Sequence, residues 1–151
     1  MSTLVTGKHS PVTNVLPRLL YIGDVSVEST YHGPAFLHRL LSDYPADKLT
    51  VLETATQSDP TRRLHGVKYL SYPISKQRWL NTRLHPYLVA WFTEAGKRVG
   101  PKISQSLNGD GFESVLTVAH GFGWLAAAQI ARERKAPLHL IIHDDWPRVA
   151  D

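Results

Sequence analysis

Five short apolar runs, separated by polar and helix-forming stretches, dominate the pattern of hydrophobic positions along the chain. They predict β-strands at residues 18–22, 49–53, 67–72, 115–119 and 138–142. Most positions in each run are apolar, without a strict alternation of apolar and polar residues. Such strands are typical of a parallel sheet that is buried on both faces.

The stretches between the runs predict helices. Gly33-Pro34 opens a helix that reaches about Asp43, because proline is favoured at the first helical position. A second helix begins near residue 84, and Gly100-Pro101 is expected to interrupt it. A third is predicted over residues 125–134. The alternation predicts an α/β fold: a Rossmann-like, mainly parallel sheet with helices on both faces.

Three of the predicted strands are followed by residues that can do chemistry. Ligands of open α/β sheets bind beyond the carboxyl ends of the strands, so we expect these residues to share one edge of the sheet. They are Gly23-Asp24 with the loop to His32-Gly33, His120-Gly121, and His143-Asp144-Asp145.

His120 stands where the fourth strand delivers its last side chain to that edge. Gly121 and Gly123 let the backbone turn tightly and approach a ligand closely. Two simpler interpretations stay open. His120 could cap the turn by hydrogen bonding, and Asp144-Asp145 could cap a helix or a turn.

Composition limits the classes of protein to consider. The 151 residues suggest one domain, and the absence of cysteine excludes disulfides, zinc-thiolate sites and a cysteine nucleophile. No apolar run approaches the roughly 18–20 residues that span a bilayer. Residues 1–16 lack the apolar centre of a secretory signal and are predicted to be a flexible leader. We therefore expect a cytoplasmic protein.

Positive charge is concentrated in residues 60–102, which hold nine Lys or Arg residues and one acidic residue. This basic segment carries a net charge of +8 and leaves −4 for the rest of the chain. Such a field attracts anions, so the segment could hold the protein peripherally on an anionic membrane surface. A solvated basic face is the simpler interpretation. No DNA- or RNA-binding motif accompanies the charge, and no nucleic acid partner is expected.

Two segments resemble the N-terminal domain of the retaining GT-B glycosyltransferases of the glycogen-synthase-like group (glycosyltransferase family 4, group 1 type). RLLYIGD…YHGPAFLHRLLSDY is similar to their first strand, glycine-containing loop and first helix. SVLTVAHGFGWLAAAQIARERKAPLHLIIHDDWP is similar to a later motif, whose strands end in His-Gly and His-Asp. The resemblance covers roughly residues 17–148 and implies that residues 17–151 form the acceptor-side domain of such an enzyme.

The resemblance also implies roles for individual residues. His120 would lie beside the transferred sugar as the catalytic residue, Gly33 near the donor phosphates, and His143 close to the cleft between the two domains. Substrate binding would involve His32, Gly33, Gly121, His143 and Asp144. The family often has a second glycine before Gly33, where this chain has His32. Such enzymes generally need no metal, and the nucleotide-sugar donor is a substrate, so no cofactor is expected.

In this family a second, C-terminal domain supplies most contacts to the nucleotide-sugar. The chain reaches Asp151 where the first domain would finish, so we expect a domain separated from its donor-binding half, one subunit of a split enzyme, or a degenerate relative. The predicted function is that of the N-terminal half of a glycosyltransferase. It would transfer a sugar from a nucleotide-sugar to a hydroxyl acceptor and would be inactive alone.

The same residues bear on two other functions. An α/β-hydrolase needs Gly-x-Ser-x-Gly between strand and helix, and this chain has His120 at the nucleophile position. A noncatalytic α/β module that binds an anionic partner through the basic segment is the alternative that stays open.

Overall fold

The computed structural model describes residues 16–55, 57–74, 85–107 and 111–142. Within them, five strands form one sheet in the order β3-β2-β1-β4-β5, and every neighbouring pair is parallel. The strands are β1 (Leu19–Gly23), β2 (Leu49–Glu53), β3 (Lys68–Ser71), β4 (Ser114–Val118) and β5 (Leu138–Ile141). The predicted parallel, Rossmann-like α/β fold is confirmed, with strand boundaries that differ from the predictions by one residue at most.

Three helices accompany the sheet: α1 (His32–Leu41), α2 (His85–Ser106) and α3 (Gly123–Arg134). Short 3₁₀ turns lie at Ala46–Lys48 and Pro60–Arg62. Helix α3 begins two residues earlier than predicted, at the second glycine of the His-Gly-Phe-Gly motif. Helix α1 ends two residues earlier than predicted, at Leu41.

The predicted interruption of the second helix at Gly100-Pro101 is wrong, because α2 continues through both residues. A Cβ on Gly100 would come within 3.0 Å of the Gln129 side chain, so this glycine lets α2 lie close against α3. Beyond the proline, Ile103 and Leu107 are almost completely buried. Burial of these two side chains outweighs the roughly 3 kcal/mol that an internal proline costs.

The core consists of two apolar layers, one on each face of the sheet. On one face, Leu20, Ile22 and Val115 pack against α2 and α3. On the other, Tyr21 and Val51 belong to a cluster that includes Leu37 and Leu41 of α1.

Burial falls from the centre of the sheet to its edges. The central strands β1 and β4 are buried at every position, whereas Leu138 and Leu140 of the edge strand β5 are 37% and 44% exposed. Two fully buried alanines, Ala126 and Ala127, let α3 lie close to the sheet. No helix in the described ranges is both long enough and apolar enough to cross a bilayer.

Candidate functional site

The candidate site lies where the direction of chain winding reverses, between β1 and β4. From β1 the chain winds outward to β2 and β3, and it then returns to the other side of β1 to form β4 and β5. In open α/β sheets a ligand site is expected at the carboxyl edge of the sheet beside such a reversal. The sequence-predicted residues Gly33, His120 and Gly121 are all found at this edge.

Asp24, the first residue after β1, ties three parts of this edge together. One of its carboxylate oxygens accepts a hydrogen bond from the Thr54 hydroxyl, just after β2. The other accepts the backbone N–H of Phe122 at 2.6 Å, just before α3. In addition, the Thr54 backbone N–H donates to the Gly23 carbonyl at 2.9 Å. We call the arrangement of Asp24, Thr54 and the Phe122 N–H the Asp24 clamp.

Gly121 and Gly123, which follow β4, leave the space that the Asp24 clamp occupies. Gly121 has a φ of +62°, and a Cβ built on it would lie 1.8 Å from the Asp24 Oδ2. A Cβ on Gly123 would lie 2.3 Å from the Thr54 Oγ1. The close approach predicted for this turn is therefore made to the chain's own carboxylate. Contact of Gly121 with a substrate stays a prediction.

The Asp24 carboxylate of the clamp also lies at the N-terminal end of α3. Helix N-termini carry a partial positive charge and attract anions, and in many α/β folds a ligand phosphate binds at this place. Here the Asp24 carboxylate takes that position, and the N-cap residue Phe122 makes no side-chain capping bond. A phosphate brought to this end of α3 would meet a negative charge.

His120 lies beside the clamp, directly before Gly121. Its backbone N–H donates to the Val118 carbonyl at 2.7 Å, while its side chain is exposed. No described residue forms a hydrogen bond with the imidazole ring. A histidine that capped the turn would have its ring bonded to backbone groups, so this geometry favours the ligand-edge interpretation of His120.

The His120 side chain stands at an open groove between α1 and the ends of β4 and β5. We call it the α1 groove; its volume is about 250 Å³. The described residues of its wall are Val25, Gly33, Pro34, Phe36, Leu37, Val118, His120 and Ile141. Gly33 and His120, which are far apart in sequence, thus line the same groove.

Tyr21 fixes the loop that supplies one wall of the α1 groove. Its ring is completely buried, and its hydroxyl donates to the Val25 carbonyl at 2.7 Å. Burial is the main cause that raises the pKa of Tyr21 far above its usual range, and the carboxylates of Asp24 and Glu53 add to it. The hydroxyl therefore stays protonated at physiological pH and remains a donor to Val25.

The other residues predicted to bind substrate are not found in the α1 groove as described. His32 is exposed, does not line the α1 groove, and packs edge-on against Tyr31 with ring centroids 5.3 Å apart. His143 and Asp144 lie outside the described residues. The candidate site as described thus contains His120, Gly33 and Gly121, together with Asp24 and Thr54.

Glu53 is a buried polar residue for which the sequence had predicted only a strand end. It is 1% exposed and accepts the Ser58 backbone N–H at 3.0 Å. The Arg63 guanidinium lies 3.6 Å from the same oxygen and 4.6 Å above the Tyr69 ring. Glu53 and Arg63 therefore anchor the loop after β2, and an acidic residue at the end of an apolar run was the signal in the sequence.

The structure divides the basic segment into separate groups. Arg63 is engaged with Glu53, and Arg62 lies 3.8 Å from Asp59. Arg98 and Lys102 are exposed on α2. Three further residues, Lys76, Arg78 and Arg83, lie outside the described residues. No group of three or more His, Asp or Glu side chains that could hold a metal ion occurs in the described ranges.

His32 adopts a left-handed backbone conformation, with a φ of +55°. This conformation costs an L-residue about 1–2 kcal/mol, and glycine adopts it without that cost. Glycine's greater freedom in the unfolded chain offsets part of the gain in stability. We expect His32→Gly to raise the free energy of unfolding by about 0.5–1 kcal/mol in urea titrations. His38→Gly, inside the same helix, is the matched control and should lower it by about 1 kcal/mol. A loss of stability in both variants would contradict the prediction.

Comparisons with known proteins add little to this picture. No protein-family model matches the chain, and no curated protein matches it. Among solved structures, the chain is similar to the C-terminal domain of a hydrogenase from Pyrococcus furiosus. The two share 15% identity with a TM-score of 0.46, and the match covers 89% of this chain and 100% of the other. A similarity at this level carries no argument, so the fold assignment rests on the order and direction of the strands.

Proposed function

We propose that this chain is the acceptor-side, N-terminal half of a retaining GT-B glycosyltransferase, which transfers a sugar from a nucleotide-sugar to a hydroxyl acceptor. The observation that carries the proposal is the exposed imidazole of His120, which stands at the α1 groove where chain winding reverses. The resemblance of the Gly33 loop and of the His120-Gly121 strand end to that family supports it. A donor-binding domain or a second subunit completes the enzyme.

The proposed chemistry needs a groove that holds the acceptor and a side chain that can contact its hydroxyl. The α1 groove provides the first, and His120 provides the second. An imidazole can donate through one ring nitrogen and accept through the other. It can therefore bond both to an acceptor hydroxyl and to the sugar as charge develops during transfer. The test is the effect of His120→Ala on transfer, which is argued in the Discussion.

The Asp24 clamp supports the assignment of donor binding to another domain. The carboxylate at the start of α3 repels a diphosphate, and no Lys or Arg is among the described residues of the α1 groove. We therefore expect a nucleoside diphosphate sugar to leave the amide NMR signals of residues 121–125 unshifted in this chain. Saturable shifts at these amides would contradict the proposal that the donor binds elsewhere. Inorganic sulfate serves as the control for nonspecific anion effects.

A noncatalytic module that binds an anionic surface is the second candidate. Helix α2 favours it, because Tyr87, Trp91, Arg98 and Lys102 are all exposed along this helix. Aromatic and basic side chains together are typical of surfaces that bind to membranes. Peripheral membrane association of a cytoplasmic protein is part of this proposal.

The second candidate predicts salt-sensitive binding to anionic lipid vesicles. Each basic residue near such a surface contributes about 1 kcal/mol, so Arg98→Ala with Lys102→Ala should weaken binding about 30-fold. Salt should weaken it further, because the screening length falls from about 10 Å at 0.1 M to about 3 Å at 1 M. Arg39→Ala with Arg132→Ala, both exposed and outside the basic segment, is the control pair. Equal partitioning into neutral and anionic vesicles in a sedimentation assay would leave only a solvated basic face.

A further inference from the structure

The side chains that line the α1 groove are apolar, with one exception. Of its described residues, His120 alone has a nitrogen or oxygen atom in its side chain. The remaining positions are Val, Leu, Ile, Phe, Pro and Gly. Val118 and Ile141 belong to the apolar cluster on the α1 face of the sheet, so the groove is continuous with the core.

Apart from His120, the side chains of this wall offer no partner to the hydroxyls of a sugar ring or to a charged group. A hydroxyl that leaves water without finding a partner weakens binding about 5- to 150-fold, and a sugar carries several of them. A buried phosphate or carboxylate without a cation costs more still. By contrast, each methylene group that leaves water for such a wall strengthens binding about fourfold.

We propose that the α1 groove binds a neutral alcohol, an apolar body that presents a single hydroxyl to His120. The volume of about 250 Å³ lies just below the usual range for pockets of drug-sized ligands, so the groove takes a small molecule or one end of a longer one. That this alcohol is the sugar acceptor rests on the proposed function. The ligand class itself rests on the composition of the groove wall.

The test is titration of the 151-residue chain with 1-hexanol, glucose and inorganic phosphate, followed by NMR of the methyl groups. We expect 1-hexanol to shift the signals of Leu37, Val118 and Ile141 saturably, and the two polar probes to leave them unchanged. Shifts with glucose but not with 1-hexanol would overturn the ligand class. A shift that accompanies dimer formation in light scattering would assign the groove to a second copy of this chain, and would also overturn it.

Two substitutions test where and how the alcohol binds. A Cβ on Gly33 meets only the Val25 Cγ1 at 3.4 Å, so Gly33→Leu fills the groove without backbone strain and should weaken 1-hexanol binding about tenfold. Arg39→Leu places the same side chain on an exposed position of α1 outside the groove and should leave binding unchanged. Unchanged binding in Gly33→Leu would overturn the location.

We expect the unsubstituted chain to bind 1-hexanol about fivefold more tightly than its isosteric ether, 1-methoxypentane. His120→Phe should remove this difference in affinity. A preference that survives this change would overturn the role of His120 in holding the hydroxyl.

The two proposals can fail separately. Binding of 1-hexanol without sugar transfer by the assembled enzyme would refute the glycosyltransferase. Transfer to glucose by an assembled enzyme whose α1 groove does not bind 1-hexanol would refute the ligand class alone.

Discussion

The His120→Ala variant of the assembled enzyme is expected to transfer sugar about 10²–10³-fold more slowly than the unsubstituted enzyme, because removal of one bond to charge that develops in the transition state commonly costs this much. Its free energy of unfolding should change by less than about 0.5 kcal/mol, since the side chain is exposed and no described residue bonds to the ring. Transfer rates and urea unfolding on the same variant separate the two effects.

His139→Ala is the matched control for this experiment. His139 is also an exposed histidine, but it lies within β5 and is not part of the described wall of the α1 groove. Its replacement should leave transfer unchanged. If His120→Ala kept full activity and instead lost about 1 kcal/mol of stability, His120 would be a turn-capping residue, and the proposed function would lose the observation that carries it.

The sheet could be predicted because its signal is local. Most positions of the central strands are apolar, so β2 is found at Leu49–Glu53, as predicted, and β4 within one residue of its predicted position. Helix α2 shows where local signals fail. Gly100-Pro101 is a strong helix-breaking signal, yet packing against α3 keeps the helix continuous. Contacts that form only in the folded chain outweigh the local preference.

The candidate site was predictable in its position but not in its internal bonds. Parallel strands bring their carboxyl ends to one edge, and this rule alone placed His120 and Gly33 near each other. The Asp24 clamp joins residues 98 positions apart, and a side chain that bonds to a backbone N–H at that separation leaves no local pattern. The same is true of Glu53, whose burial depends on Arg63 stacked above Tyr69.

The Gly121→Ala variant is expected to lose about 3–5 kcal/mol of its free energy of unfolding. An L-residue at a φ of +62° costs about 1–2 kcal/mol, and the new Cβ would overlap the Asp24 carboxylate. The carboxylate must then move and lose its hydrogen bond to the Phe122 N–H, which contributes about 1.5–3 kcal/mol. Gly33→Ala is the control, because its φ is not positive and its Cβ meets only Val25 at 3.4 Å. Its stability should change by less than about 1 kcal/mol.

A double-mutant cycle shows whether the clamp is the cause of that loss. Asp24→Ala alone removes both hydrogen bonds and should itself be destabilising by about 3–6 kcal/mol. In the Asp24→Ala background the carboxylate no longer opposes a Cβ at position 121. Gly121→Ala should then cost only the backbone term of about 1–2 kcal/mol. Losses that simply add would mean that Gly121 is required for its backbone conformation alone, and that the Asp24 carboxylate does not hold the turn that positions His120.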